Sequence, residues 1–158
     1  MDNTELCTPF AESVKKIMAQ MTCIDIILDG GFYKENDDIA SNGVSSLITF
    51  SGAIKGRLLI DMEPSVAIAV AQNITGIAYA TPKDNMVLAS ISELNNTIAG
   101  DGITELNNKY SLKLRLAPPI VFTGKDTVIC IPKITSVSLN CGTEYGKFKF
   151  NIAFERSL

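Results

Sequence analysis

The chain has 158 residues, 46% of them apolar and 20% charged, the balance of a globular domain with a sizeable core rather than of a disordered chain. A formal net charge of −3 leaves no basic footprint for nucleic acid or an acidic membrane. The absence of histidine removes Ser-His-Asp and Cys-His catalysis, and with them the commonest ligand of zinc and iron.

No apolar run approaches the roughly 18 residues a membrane helix needs, and "MDNTELCTPF" lacks the basic and apolar segments of a signal peptide. Cys7, Cys23, Cys130 and Cys141 include no CxxC pair and read as reduced thiols. The expectation is one cytoplasmic domain over residues 1–158.

In chain order, Thr8 and Pro9 mark a helix start, a cap followed by a residue suited to the first turn. Phe10, Val14, Ile17, Met18 and Met21 then recur at helical spacing as one apolar stripe. "CIDIILDGGF" (23–32) reads as a strand running into a glycine turn, and "YKENDDIASNG" (33–43) as a polar loop. "VSSLITF" (44–50) and "IKGRLLIDM" (54–62) predict a hairpin that turns near Gly52. Pro64 opens a short, almost wholly apolar helix that Gly76 ends.

The longest helix is predicted to start between Pro82 and Asn85 and to reach about Asn108. Beyond it "LKLRLAPPIVFTG" (112–124) is extended, because tandem prolines forbid helix and favour a sheet edge. "TVICI" (127–131), "ITSVSLNCG" (134–142) and "GKFKFNIAFE" (146–155) close the chain as strands. In the last, Phe148, Phe150, Ile152 and Phe154 alternate with Lys147, Lys149 and Asn151, a strand with one face buried. The order predicts an α/β (α+β) sandwich, a largely antiparallel sheet with two long helices and one short helix packed on it.

Within the long helix, "SELNNTIAG" (92–100) carries the polar pair that invites chemistry. At 100° per residue, Val87, Ile91, Leu94 and Ile98 fall within about 40° of one another and form the core stripe. Glu93, Asn96 and Gly100 lie on the far side at roughly 180° to 240°, with Ala89 and Asn107. Glu105 projects onto the core stripe, which predicts a bend or break near Gly100 and Gly102. An outward Glu and Asn usually form no more than a solvated face. Against that, Asn95 and Asn96 are poor helix formers placed mid-helix, and each glycine costs about 1 kcal/mol there.

The segment "SELNNTIAGDGITEL" followed by "LAPPIVFTG" resembles the CheX family of chemotaxis phosphatases, within the CheC-like group. The family's hallmark is a helical Glu-x-x-Asn followed by Ala-Gly, then a strand that carries a proline and ends in glycine. "TPFAESVKKIM" is similar to its first helix, and "FSGAIKGRLLIDMEPSVAIAVAQNITG" to its Gly-x-x-x-Gly hairpin and second helix.

The resemblance implies a phosphatase that hydrolyses the aspartyl phosphate of a CheY-like response regulator, in chemotaxis or a related two-component pathway. It implies catalytic roles for Glu93, pairing with a lysine of the regulator, and Asn96, holding the attacking water in line with phosphorus. It further implies that the chain binds no cofactor itself, that the phosphorylated partner supplies Mg²⁺, and that the chain forms a homodimer through its sheets. Phosphoryl transfer asks for positioning and charge neutralisation rather than a nucleophile on the enzyme, which suits a chain without histidine. A carboxamide both accepts from and donates to one water. The same residues would also fit a non-catalytic binding module that sequesters a response regulator or a receptor-associated protein.

Two positions depart from the family pattern. Some CheC-like proteins carry a second Glu-x-x-Asn on the first helix; here the stretch reads Glu12-Ser-Val-Lys15, and lysine cannot accept a hydrogen bond from water. Asp101 follows Gly100, so a negative charge is expected next to a site that approaches a phosphoryl group.

Overall fold

The computed structural model describes residues 3–35, 38–129 and 136–155. Three helices, α1 (Asn3–Ile17), α2 (Pro64–Thr75) and α3 (Asn85–Tyr110), pack on one face of an antiparallel sheet. The strands are β1 (Ile27–Glu35), β2 (Ile39–Ala40), β3 (Val44–Ser51), β4 (Lys55–Met62), β5 (Arg115–Leu116), β6 (Ile120–Thr123), β7 (Val128–Ile129), β8 (Ser136–Thr143) and β9 (Gly146–Glu155). The main sheet runs β1-β8-β9-β4-β3-β5, with β6 also paired to β3. This is the mixed α/β architecture the sequence predicts.

Alternation sorts the sheet into two faces. Ile48 and Phe50 on β3, Leu58 and Ile60 on β4, and Phe148, Phe150 and Ile152 on β9 meet α1, α2 and α3 in the main core. The other face is part covered by the β2–β7 ribbon, where Ile39, Leu59 and Ile129 form a smaller cluster. The β3–β4 hairpin turns where predicted, with the Gly52 amide donating to the Ile54 carbonyl at 2.9 Å. Gly76 closes α2 in the left-handed region at φ 74°.

Several expectations need correction. Helix α1 begins at Asn3, and Pro9 lies inside it rather than at its start. Thr8 is no cap; its hydroxyl donates back to the Thr4 carbonyl at 2.9 Å. The extra turn buries Leu6 and Cys7 almost completely, apolar burial that offsets the proline penalty. The glycines after β1's start do not end it. Gly30 and Gly31 form an irregularity between Asp29 and Tyr33, and the strand continues to Glu35. The loop expected over 33–43 is therefore partly strand, and its residues 36 and 37 lie outside the described residues.

Strand β9 lies inside the sheet, between β8 and β4, and not at its edge. Its second face is polar yet packed: Asn151 is fully buried and donates to the hydroxyls of Ser136 and Ser138, while Lys149 pairs with Glu35 at 3.1 Å. Among the described residues the open edges are β1 on one side and β5 with β6 on the other. Residues 130, 131, 134 and 135 of the predicted strands, Cys130 among them, lie outside the described residues. Cys141 is buried, and burial pushes its thiol pKa up to about 12, so it is an inert packing group. Among the described residues no helix is long and apolar enough to cross a membrane.

Candidate functional site

Asp84 starts α3 by accepting from the Met86 amide at 2.8 Å, and the helix then runs unbroken for 26 residues. The predicted bend near Gly100 and Gly102 does not occur. Instead the buried face drifts along the helix, from Val87, Ile91 and Leu94 to Ala99, Gly102, Ile103 and Leu106, and leaves Glu105 exposed. The cause is α1, which packs along the second half of α3. Ser13 donates to the Ile98 carbonyl at 2.9 Å, and Lys16 reaches Asp101 at 2.8 Å.

The two glycines therefore do different work. A Cβ on Gly102 would stand 2.5 Å from a ring carbon of Phe10, which is fully buried and stacked on Phe50. A Cβ on Gly100 would meet only Leu116, at 3.7 Å, an ordinary contact. Gly102 is needed by the packing of α1 on α3, whereas Gly100 keeps the outer face low. Gly102→Ala is expected to lower the melting temperature, since overpacking of about 1–3 kcal/mol outweighs a helix-propensity gain of about 1 kcal/mol. Gly100→Ala should match or exceed the wild-type melting temperature. If Gly102→Ala melts no lower than wild type in a thermal scan, this account of the α1–α3 contact is wrong.

The paired asparagines also divide. Asn95 points inward, fully buried, and its amide donates to the Ser46 carbonyl and hydroxyl on β3, both at 3.0 Å. It ties the middle of α3 to the sheet. Asn96 and Glu93 point outward, half-buried and exposed respectively. Among the described residues neither side chain engages a partner, although the Glu93 carbonyl accepts from Thr97 at 2.9 Å. Asn107, expected on this outer face, instead clamps Leu114: it accepts from the Leu114 amide at 2.7 Å and donates to its carbonyl at 3.1 Å. That clamp sets the segment beside Gly100.

Asp101 does not face the site as a free charge. Burial pushes its carboxyl up, but the hydrogen bond from Lys16 and the charge of Lys16 outweigh this and hold it below the usual carboxylate range. Sequence reasoning missed this pair because Lys16 and Asp101 are 85 positions apart. On α1, Glu12 and Lys15 are exposed, and no Asn stands at the second position. Among the described residues no group of three or more Cys, Asp or Glu could hold a metal ion.

The profile of the family "Chemotaxis phosphatase CheX" matches residues 44–141, from β3 through the motif helix to β8. The chain belongs to the CheX family. Its fold agrees with that of several solved structures. A CheC-like superfamily protein from Shewanella sp. PV-4 is 25% identical, with TM-score 0.88 over 98% of this chain and 99% of that one. The chemotaxis protein CheX from Desulfovibrio desulfuricans is 22% identical, with TM-score 0.86 over 96% and 99%. A CheX from Borrelia burgdorferi, solved as a CheX–CheY–BeF3–Mg²⁺ complex, is 23% identical, with TM-score 0.78 over 95% and 97%. No curated protein matches the sequence significantly.

Proposed function

We propose that this CheX-family chain is itself an active protein aspartyl-phosphate phosphatase, acting on a CheY-like response regulator through Glu93 and Asn96. The observation that carries the reading is the outer face of α3, where an unengaged carboxylate and an unengaged carboxamide stand one turn apart beside Gly100. The sheet anchors this helix through Asn95, so the face is presented on a rigid element. Glu93 pairs with a lysine of the regulator, and Asn96 fixes the water that attacks phosphorus. The Lys16–Asp101 pair keeps the flanking carboxylate occupied, which removes one source of repulsion toward the phosphoryl group. A panel of phosphorylated receiver domains, followed by phosphate release with and without this chain, tests the reading. Acceleration of at least one receiver supports it, and binding without acceleration favours a sequestering module.

Mg²⁺ enters with the regulator in this reading; the Borrelia burgdorferi relative was solved with CheY and Mg²⁺ present. Glu93 alone is no ligand set for a hard cation, which takes several oxygens. Calorimetry of the isolated chain is expected to detect no tight Mg²⁺ binding, and stoichiometric uptake would contradict this assignment.

The chain forms a homodimer with both motif helices exposed. Pairing is by an edge of the sheet, and β1 offers one, with Ile27 76% exposed. Light scattering at micromolar concentration should give twice the chain mass; a monomer there would refute the assembly.

A further inference from the structure

We propose that the sheet face turned away from the helices holds a binding site for the phosphate group of a small molecule, built on Arg57, Arg115 and Lys55. On β4, Leu58 and Ile60 enter the helix-side core, so Arg57 between Gly56 and Leu58 projects to the opposite face. Arg57 is only 9% exposed, and its Nε and Nη2 have no hydrogen-bond partner among the described residues. Those two atoms share one edge of the guanidinium and are spaced to grip two oxygens of a single oxyanion. Burial pulls the Arg57 pKa down, and among the described residues no carboxylate offsets it. A buried guanidinium left in this state carries a large desolvation penalty, which a bound oxyanion would relieve.

The surroundings fit the same ligand. Arg57 is part of the lining of an open cavity of about 480 Å³, with Arg115, Lys55, Thr49, Ser51 and Glu155 around it. Strand register places them together: Arg57 lies opposite Thr49 and Ala153, Lys55 opposite Ser51 and Glu155, and Ser51 opposite Arg115. Among the described residues, two adjacent rows of the sheet therefore set three cations against one carboxylate. That excess matches a phosphate monoester, which carries about −1.5 to −2 at neutral pH, better than a monocarboxylate. The small side chain of Ala153 leaves room beside the guanidinium, and Lys55 and Arg115 stand exposed at the mouth. The site does not depend on the α3 face, which lies across the sheet.

Thermal melting in inorganic phosphate, with chloride and acetate at matched ionic strength, tests the site. A saturable rise in melting temperature is expected in phosphate and not in chloride, with a weaker response in acetate. Arg115→Ala and Lys55→Ala, both at exposed positions, should each raise the half-saturating phosphate concentration by about tenfold, the loss of one charge-assisted contact. Arg57→Met should abolish the response, and Asn96→Ala should keep it whole. An equal rise in chloride, or a phosphate response unchanged in Arg115→Ala, would overturn the proposal even if Arg57→Met fails to fold.

Discussion

Asn96→Ala is expected to slow dephosphorylation of the cognate regulator by about 10²-fold or more, because a misplaced reacting group typically loses that much rate. The side chain is half-buried on the outer face of α3 and engages no partner among the described residues, so its removal leaves the fold intact. Affinity for the regulator should change by no more than about 1 kcal/mol, the usual worth of one neutral hydrogen bond at a rim. The expected pattern is thus a collapse of turnover with binding and melting temperature preserved. A variant that hydrolyses at the wild-type rate removes Asn96 from the chemistry.

Glu93→Ala should behave differently. In the proposed complex its carboxylate would make a charge-assisted contact to the regulator in a partly desolvated interface, worth roughly 1.5–3 kcal/mol. Binding should therefore weaken by about 10- to 150-fold, and turnover at low regulator concentration should fall with it. Glu93 is exposed and fills no core volume, so stability should barely move. Raising ionic strength should narrow the gap between wild type and Glu93→Ala, since a rim charge is screened. A variant that binds as tightly as wild type shows that Glu93 faces solvent in the complex.

Much of this arrangement was legible in the sequence where local rules and tertiary packing agree. Pro64 and Gly76 bound α2 because proline suits a first turn and glycine adopts the left-handed cap without strain. The outward placement of Glu93 and Asn96 followed from helical spacing and survives in the structure. The misses share one cause, contacts between elements distant in the chain. The drift of α3's buried face is imposed by α1, and a fixed stripe of 100° per residue has no means to register it. Gly102 looked gratuitous until Phe10 arrived over it. The alternation of Lys147, Lys149 and Asn151 reads as a wet face; Lys147 is indeed exposed, but Glu35 engages Lys149 and β8 supplies the hydroxyls that accept from buried Asn151. Pro9 looked like a helix start because the proline rule does not weigh the burial of Leu6 and Cys7. Helical spacing turns Asn96 outward, but that Asn95 anchors the helix shows only once Ser46 of β3 is in place.

Catalysis and capture separate in the decay of a phosphorylated receiver domain in the presence of substoichiometric amounts of this chain. If the chain is catalytic, each molecule clears many regulator molecules, with decay rates proportional to the amount added and restored to the intrinsic rate by Asn96→Ala. A regulator that binds the chain saturably but loses its phosphate no faster than when alone would contradict catalysis.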